Sequence, residues 1–490
     1  MSLKIDPLRF SPWLLGGFTL FYPLVFIPGT LFWPVAAFDD PISASKELFL
    51  LLPKLLLLAL AGTVGLLSIK GWLRQHWREA FPILVLVHLL LVGLSSLNAR
   101  DEWAFTLLGP ARRMDGLIYQ VGLALWLLFV YTLLRRHPKI ISFAIWGLFL
   151  SGIFEALSVI LSYFRLDPFP RFIYFLEPQA HPFEGTIGNY GMLAGFLLIA
   201  TVAGLWLGRE RGRWVLLGLV PLGMALGIGS NRSTLLGVLL TLIAINLALR
   251  SKRVFLVSIL LVISALVARE LPAPLKDWRD IGSFSTGQSR IYIWKLTLTK
   301  LREIPLAPWL GGGPDALRLA QMRNPPLNNP NLVRIYQLEL GWRDLPTRIE
   351  IYQEPGRPVR SRWLLFHFAE YKGEKNASVL APFGVDRAHN MLLDRLVSYG
   401  LFDALLWAAL YLTPLALFRR RTPEAALLSS IALGLWGYYL FWFPVLQVEP
   451  LHLVLIAAAW ALLAQNPAPL GTIQKNIPLA ATTPGKPHPP

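Results

Sequence analysis

The chain contains no cysteine, so disulfides and thiolate metal ligands are excluded, and redox chemistry cannot assign its compartment. Charge is scarce: 15% of the 490 residues are Asp, Glu, Lys or Arg, while 54% are apolar and the mean hydropathy is +0.51. A soluble domain carries about 25% charged residues, so a water-soluble globular chain of this length is excluded. Acidic residues are the scarcer sign, 29 against 46 Lys and Arg, which leaves a formal charge of +17. That excess does not point to nucleic acid as a partner. The positive residues fall in short clusters between apolar runs, as they do in the cytoplasmic loops of membrane proteins. Also missing are a His/Cys cluster, a Gly-rich phosphate loop and a Ser nucleophile elbow. No metal and no cofactor is expected. The N-terminal lead "MSLKIDPLRFSPW" is basic, but the apolar run behind it lacks a small-residue cleavage site, so it is expected to remain as a first span.

What the chain has in abundance is apolar length. A helix needs about 20 apolar residues to cross the hydrocarbon core of a bilayer. About twelve runs meet that need, near 13–37, 47–69, 80–97, 115–134, 140–163, 188–207, 214–230, 232–249, 254–269, 390–417, 424–445 and 450–465. The fold class expected is an all-α integral membrane protein with about 12 transmembrane helices. Pro23, Pro28 and Pro34 interrupt the first run, and the seventh and eighth almost touch.

Basic residues occupy every second connection: Lys70, Arg74 and Arg78; Arg135, Arg136 and Lys139; Arg209, Arg211 and Arg213; Arg250, Lys252 and Arg253; Arg419, Arg420 and Arg421. By the positive-inside rule these face the cytoplasm, and both termini with them. The other connections carry acids, aromatics and prolines and are expected outside. The largest is the insert 269–388, with 18 Lys and Arg against 12 Asp and Glu. The expected organisation is membrane helices one to nine in 1–268, a large outer loop domain in 269–388, helices ten to twelve in 389–466, and a disordered cytoplasmic tail in 467–490. Within the insert, "SRIYIWKLTLTKLREIPL" places Ile291, Trp294, Leu298 and Leu301 at helical spacing, predicting a helix on the membrane surface or against the bundle. "NLVRIYQLEL" and "SRWLLFHFAEY" fit short strands or helices alike.

Three places could carry chemistry. "AHNMLLDRLVSYGLF" opens an apolar run with His389 and Asn390; on a helical wheel His389 shares a face with Leu393, Leu396 and Gly400. Imidazole titrates near neutral pH and suits proton abstraction from a hydroxyl. The alternative is that His389 and Asn390 simply cap the helix. Arg232, in "GIGSNRSTLL", lies at the outer end of two apolar runs, where an arginine either grips phosphate oxygens or snorkels to headgroups. Arg290 in "GQSRIYIWK" reads as part of a solvated salt bridge, and so does the pair Arg112 and Arg113 in "GPARRMDGLIY", although a basic pair beside lipid headgroups would also suit an anionic lipid phosphate. Asp39 and Asp40 could serve a metal, but Pro41 follows and no third ligand is apparent, so a turn is the simpler reading. Lys54, Glu155, Asp394, Arg395 and Asp403 are buried by position and are expected to pair among themselves.

Together these stretches resemble the superfamily of O-antigen ligases and O-antigen polymerases, which includes O-linked protein oligosaccharyltransferases. "AHNMLLDRLVSYGLF" fits its His-Asn signature, "SRIYIWK" followed by "PWLGGGPDAL" its Arg, Trp and Gly-rich pattern, and "SNRSTLLG" its Ser/Arg helix start. "GTIGNYGMLAGFL" and "RRMDGLIY" resemble two weaker signatures. The usual Asn-x-Asn is replaced here by Asn189, Tyr190 and Gly191, and Asn231 separates Ser230 from Arg232. The resemblance implies a GT-C type glycosyltransferase fold that works without metal. It implies His389 as catalytic base and Arg232 and Arg290 as essential arginines; Arg112, Arg113 and Asn390 are expected as substrate contacts. The donor would be an undecaprenyl-diphosphate-linked glycan. The acceptor would be a lipopolysaccharide core, a growing glycan or a protein, reached at the periplasmic face of a bacterial inner membrane. A lipid-linked glycan flippase or another transporter is the rival from a different class, because about twelve spans with both termini inside is also a transporter layout.

Overall fold

The computed structural model describes residues 7–26, 41–98, 103–109, 113–166, 185–210, 213–229, 231–270, 285–304, 308–340, 345–353, 363–371, 373–382, 387–420 and 422–465. Each apolar run of the sequence yields helix: Pro7–Phe21, Pro41–Ser68, Ala80–Ser96, Leu117–Arg136, Ile141–Tyr163, Tyr190–Glu210, Arg213–Gly229, Arg232–Leu249, Lys252–Glu270, Met391–Tyr399 with Leu401–Leu412, Pro423–Tyr439 and Glu449–Ala464. Among the described residues six helices are long and apolar enough to cross a membrane, from Leu50–Ser68 to Leu401–Arg420, and a seventh is counted if Lys70–His76 and Ala80–Ser96, bent by 99°, form one span. Their outward residues are apolar too: Leu56, Leu60, Leu90, Leu239, Leu247 and Leu256 are all more than half exposed. An exterior of that kind belongs in lipid, and the protein is membrane-embedded and nearly all-α.

Without a hydrophobic drive between helices in lipid, close backbone approach has to hold the bundle. Small residues supply it. The helix Arg232–Leu249 runs against Pro423–Tyr439, and a Cβ at Gly237 would fall 2.7 Å from the Gly434 carbonyl oxygen. Thr241 Oγ1, which crowds the same contact, donates back to the Gly237 carbonyl at 2.8 Å. Gly223 meets the Leu261 carbonyl in the same manner, joining Arg213–Gly229 to Lys252–Glu270.

The expected continuous helix over 390–417 is broken. Gly400 takes φ +89° and divides Met391–Tyr399 from Leu401–Leu412, after which Thr413–Arg420 tightens to 3₁₀ geometry. A break at this depth leaves backbone groups that must be satisfied internally. The Gly-rich loop of the insert does it: Gly312 N donates to Val397 O at 2.9 Å, Gly313 N to Ser398 O at 2.8 Å, and Leu401 N to Pro308 O at 2.6 Å. The sequence pattern could not show this, because an apolar run looks the same whether or not another loop enters it.

The insert is not all helix. Ser285–Leu301, Ala316–Arg323 and Pro330–Leu340 cover an antiparallel sheet of β1 (Arg348–Tyr352), β2 (Trp363–His367) and β5 (Ser378–Pro382), with a small hairpin of β3 (Glu370–Tyr371) and β4 (Glu374–Lys375). "NLVRIYQLEL" is therefore helix, and "SRWLLFHFAEY" carries the strands Trp363–His367 and Glu370–Tyr371. The strand β2 is central, and its alternate residues Leu364 and Phe366 are fully buried. They meet Ile293 and Leu296 of the first helix and Leu332 and Ile335 of the third, forming a core that continues into Val397. The helix Ser285–Leu301 thus buries Ile293 and Leu296; of the expected stripe, Trp294 and Leu301 pack against the same core, while Ile291 and Leu298 stay 49% exposed.

The basic clusters gather at one end of the bundle. Arg135 pairs with Glu79 at 3.3 Å, Arg209 with Glu424 at 3.0 Å, and Arg253 donates to the Arg209 carbonyl at 3.1 Å. Arg420 bonds the Leu462 and Leu463 carbonyls, close to Trp460, whose ring lies 5.8 Å from Phe81. The insert and the loop Trp442–Val448 lie at the other end.

If close backbone contact holds the Arg232–Leu249 and Pro423–Tyr439 pair, Gly434→Val will lower stability by about 1–3 kcal/mol. Gly93→Ala, which faces open space, will not. Thermal unfolding of the two variants in the same detergent is the measurement.

Candidate functional site

The site forms where Arg387, Ala388, His389 and Asn390 lead into the Met391–Tyr399 helix. Asn390 is the N-cap, its side-chain oxygen accepting from Leu393 N at 3.1 Å, while its Nδ2 donates to Leu440 O at 2.9 Å. Both polar ends of this amide are engaged, so Asn390 positions the chain here. It ties the helix start to the end of Pro423–Tyr439, two residues before Trp442. Arg387 is 3% exposed and donates from Nη1 to Asp394 Oδ2 at 3.0 Å and from Nη2 to the Asp115 carboxylate. Buried charges of this kind persist only when paired and hydrogen-bonded.

Between these two anchors sits His389 at φ +49°. It precedes the helix, so the expected face shared with Leu393, Leu396 and Gly400 is replaced by an orientation set in the loop. A left-handed backbone at a non-glycine residue costs on the order of 1–3 kcal/mol, and such strain gathers at functional positions. The imidazole stands perpendicular to two rings, 5.6 Å from Trp442 at 82° and 5.1 Å from Phe443 at 89°. Those two rings stack at 8° with centroids 5.5 Å apart. Arg290 places its guanidinium 5.5 Å from the Trp442 centroid, and Arg113 lies 4.8 Å from that of Phe443. Cation–π contact orients a guanidinium while leaving its in-plane donors for other partners.

Of the residues singled out in the sequence, His389, Arg290 and Arg113 are therefore gathered about one aromatic pair. Arg112 lies outside the described residues, as do Asp39 and Asp40. Arg232 is the exposed first residue of its helix, behind the N-cap Asn231, which accepts from Thr234 N. The antiparallel contacts of Gly237 with Tyr438 and of Thr241 with Gly434 put Arg232 at the Trp442 end of the bundle. It reaches this end by helix pairing, whereas the other two arginines are held on the ring pair.

The altered Asn-x-Asn stretch also has a local reason. Asn189 Oδ1 accepts from Gly191 N at 2.9 Å and Met192 N at 3.2 Å, capping the next helix. A Cβ at Gly191 would fall 2.6 Å from Trp442 Cζ2, so glycine makes room for the indole.

Arg395 and Asp403 approach each other as expected, whereas Asp394 pairs with Arg387 and Lys54 with backbone carbonyls, partners the sequence did not reveal. Arg395 bonds Glu449 at 2.8 Å, stacks 3.7 Å from the Trp407 ring centroid and lies 3.9 Å from Asp403. Asp403 meets His88 Nδ1 at 2.6 Å, His88 Nε2 meets Gln120 at 3.0 Å, and Tyr119 donates to Glu449 at 2.5 Å. Lys54 donates to the Val25 and Thr186 carbonyls, and the Thr186 hydroxyl contacts Glu155. The sequence reading passed over Arg387, Asp115, His88, Gln120, Tyr119 and Glu449. The available signal was polarity inside an apolar run, visible for His88 and, at a run's start, for Glu449.

Among the described residues no three His, Asp or Glu side chains are grouped as a metal site would require. No family model matches the chain, and neither a curated protein nor a solved structure matches it.

Arg387→Met would leave the Asp115 and Asp394 carboxylates buried without their cation, at a cost of about 3–5 kcal/mol. The triple variant with Asp115→Asn and Asp394→Asn should regain part of it. Chemical or thermal unfolding of both proteins in one detergent checks the expectation.

Proposed function

We propose that this protein is a membrane glycosyltransferase of the O-antigen ligase type. It moves a glycan from an undecaprenyl-diphosphate-linked donor to an acceptor hydroxyl at the outer face of the bacterial inner membrane. The observation that carries the reading is the grouping of His389, Arg290 and Arg113 about Trp442 and Phe443. It lies at the end of the bundle opposite the basic clusters, which the positive-inside rule assigns to the cytoplasm. About twelve helices crossing the membrane in a GT-C arrangement belong to the same proposal, with the insert over the site.

In the reaction, the acceptor oxygen attacks the anomeric carbon from the face opposite the diphosphate. The new C–O bond forms as the bond to the diphosphate oxygen breaks, inverting the configuration, and the electron pair leaves with the lipid diphosphate. His389 takes the hydroxyl proton; a positioned general base of this kind contributes about 10²–10⁴ in rate. Arg290, with Arg113 beside it and Arg232 at the same end, stabilises the negative charge that develops on the leaving group. Guanidiniums suit that task because they remain charged and bind phosphate oxygens in pairs. The net basic insert, 18 Lys and Arg against 12 acids, favours an anionic acceptor such as a lipopolysaccharide core.

The test is purified protein in lipid nanodiscs with a labelled lipid-diphosphate glycan and, in separate reactions, lipopolysaccharide core, unlabelled lipid-linked glycan and a protein acceptor. Transfer to the core, read by gel mobility, is expected. It should fall about 10²–10⁴-fold in His389→Ala. Full transfer by His389→Ala overturns the assignment of the base. Transfer to one of the other acceptors instead makes the chain a polymerase or a protein oligosaccharyltransferase. Movement of donor across sealed vesicles with no covalent product makes it a flippase.

A further inference from the structure

We infer that Trp442 is a positioning residue of this site, holding the Arg290 guanidinium and the His389 imidazole in one arrangement through its ring. Its part in catalysis rests on the function proposed above; its hold on Arg290 does not.

Four observations converge on this residue. Trp442 sits in the non-helical stretch between Pro423–Tyr439 and Glu449–Ala464, a stretch pinned at both ends: Asn390 Nδ2 donates to Leu440 O at 2.9 Å and Tyr22 donates to Leu446 O at 2.5 Å. The indole is only 6% exposed, so its faces are not open as a stacking platform for a sugar; they are used by the protein. One neighbour is Phe443, stacked at 8°, and another is Tyr438, 6.3 Å away. Glycine at 191 is what lets the ring lie there, since any side chain would meet its outer edge. Two groups of the proposed chemistry then touch it: the guanidinium of Arg290 at 5.5 Å and the imidazole of His389 at 5.6 Å, perpendicular.

A flat, immobile ring with two chemically active groups on it acts as a common reference for both. Arg290 comes from a helix of the insert and His389 from the loop that leads into Met391–Tyr399, so nothing in the local chain fixes their separation. Trp442, from a third element, does. The indole Nε1, buried and without a hydrogen-bond partner among the described residues, offers a competing role as a donor to ligand. Phenylalanine at 442 retains the aromatic face and removes that donor, which separates the two roles.

The experiment uses the full-length protein in nanodiscs and two readouts. Phenylglyoxal labelling of Arg290, followed by mass spectrometry, needs no activity. Trp442→Leu should raise the labelling rate at Arg290 and Trp442→Phe should leave it at the wild-type rate; Gly191→Val, which pushes the ring aside, should resemble Trp442→Leu. In transfer assays, Trp442→Leu should lower kcat about tenfold with KM little changed, the scale of one lost cation–π contact at a desolvated site. Trp442→Phe should stay within about threefold of wild type. Adding Trp442→Leu to Arg290→Ala should cost less than Trp442→Leu alone, because only the hold on His389 is then left to lose. The inference is overturned if Arg290 labels at the wild-type rate in Trp442→Leu, or if Trp442→Phe loses as much kcat as Trp442→Leu. Absence of transfer in the wild-type protein defeats the proposed function alone, and the labelling rates still decide the role of Trp442.

Discussion

A single buried arginine organises the site. Arg387 bridges Asp394, in the first turn of its own helix, and Asp115, 272 residues earlier in the chain, at 3% exposure. In a low-dielectric interior that cation must keep both carboxylates, and they must keep it. The loop carrying Arg113 is therefore locked to the helix start two residues before His389. The strained backbone of His389 persists because the bridge on one side and the doubly bonded Asn390 on the other leave it no relaxed alternative. Two of the groups that face the aromatic pair, His389 and Arg113, sit beside that restraint.

The same electrostatic logic continues deeper. Arg395, Glu449, Asp403 and His88 come from four different helices and meet in the buried interior. Such groups add little net stability compared with a well-packed apolar interior, but they allow only one arrangement of the helices. Small residues bring the helices close, and the polar network selects which helices meet. The break at Gly400 adds a third device. The insert enters the membrane helix with its Gly-rich loop and takes over the backbone bonds of Val397, Ser398 and Leu401. The insert and the bundle are joined through main-chain hydrogen bonds as well as a shared core at Val397.

Much of this was legible from the sequence, and the parts that were share a cause. Helix boundaries such as Arg232–Leu249 coincide with the apolar run 232–249 because lipid leaves a helix as the only backbone state with all its bonds made. The basic clusters meet at one end because charge is excluded from the hydrocarbon between them. The N-cap at Asn390 was visible as an alternative, since Asn before an apolar run satisfies free N–H groups. His389 and Arg290 stood out for their chemistry, Arg113 as one of a basic pair. What did not show was Trp442 and Phe443: in a chain with 18 Trp and 28 Phe, two more aromatics at the end of an apolar run carry no signal of their own.

The sequence by itself determined that this chain lives in a membrane, where its helices fall, which ends carry the basic residues and which polar groups are costly enough to need an explanation. Those are consequences of local solvation, readable one residue and one run at a time. Only the tertiary structure decided which costly groups meet. Asp115 with Arg387, Glu449 with Arg395, Gly191 against Trp442, and the insert's loop inside the Gly400 break are pairings across many tens to hundreds of residues. A charge or a glycine states its need in the sequence, but the partner that meets it is chosen by the packing of distant helices.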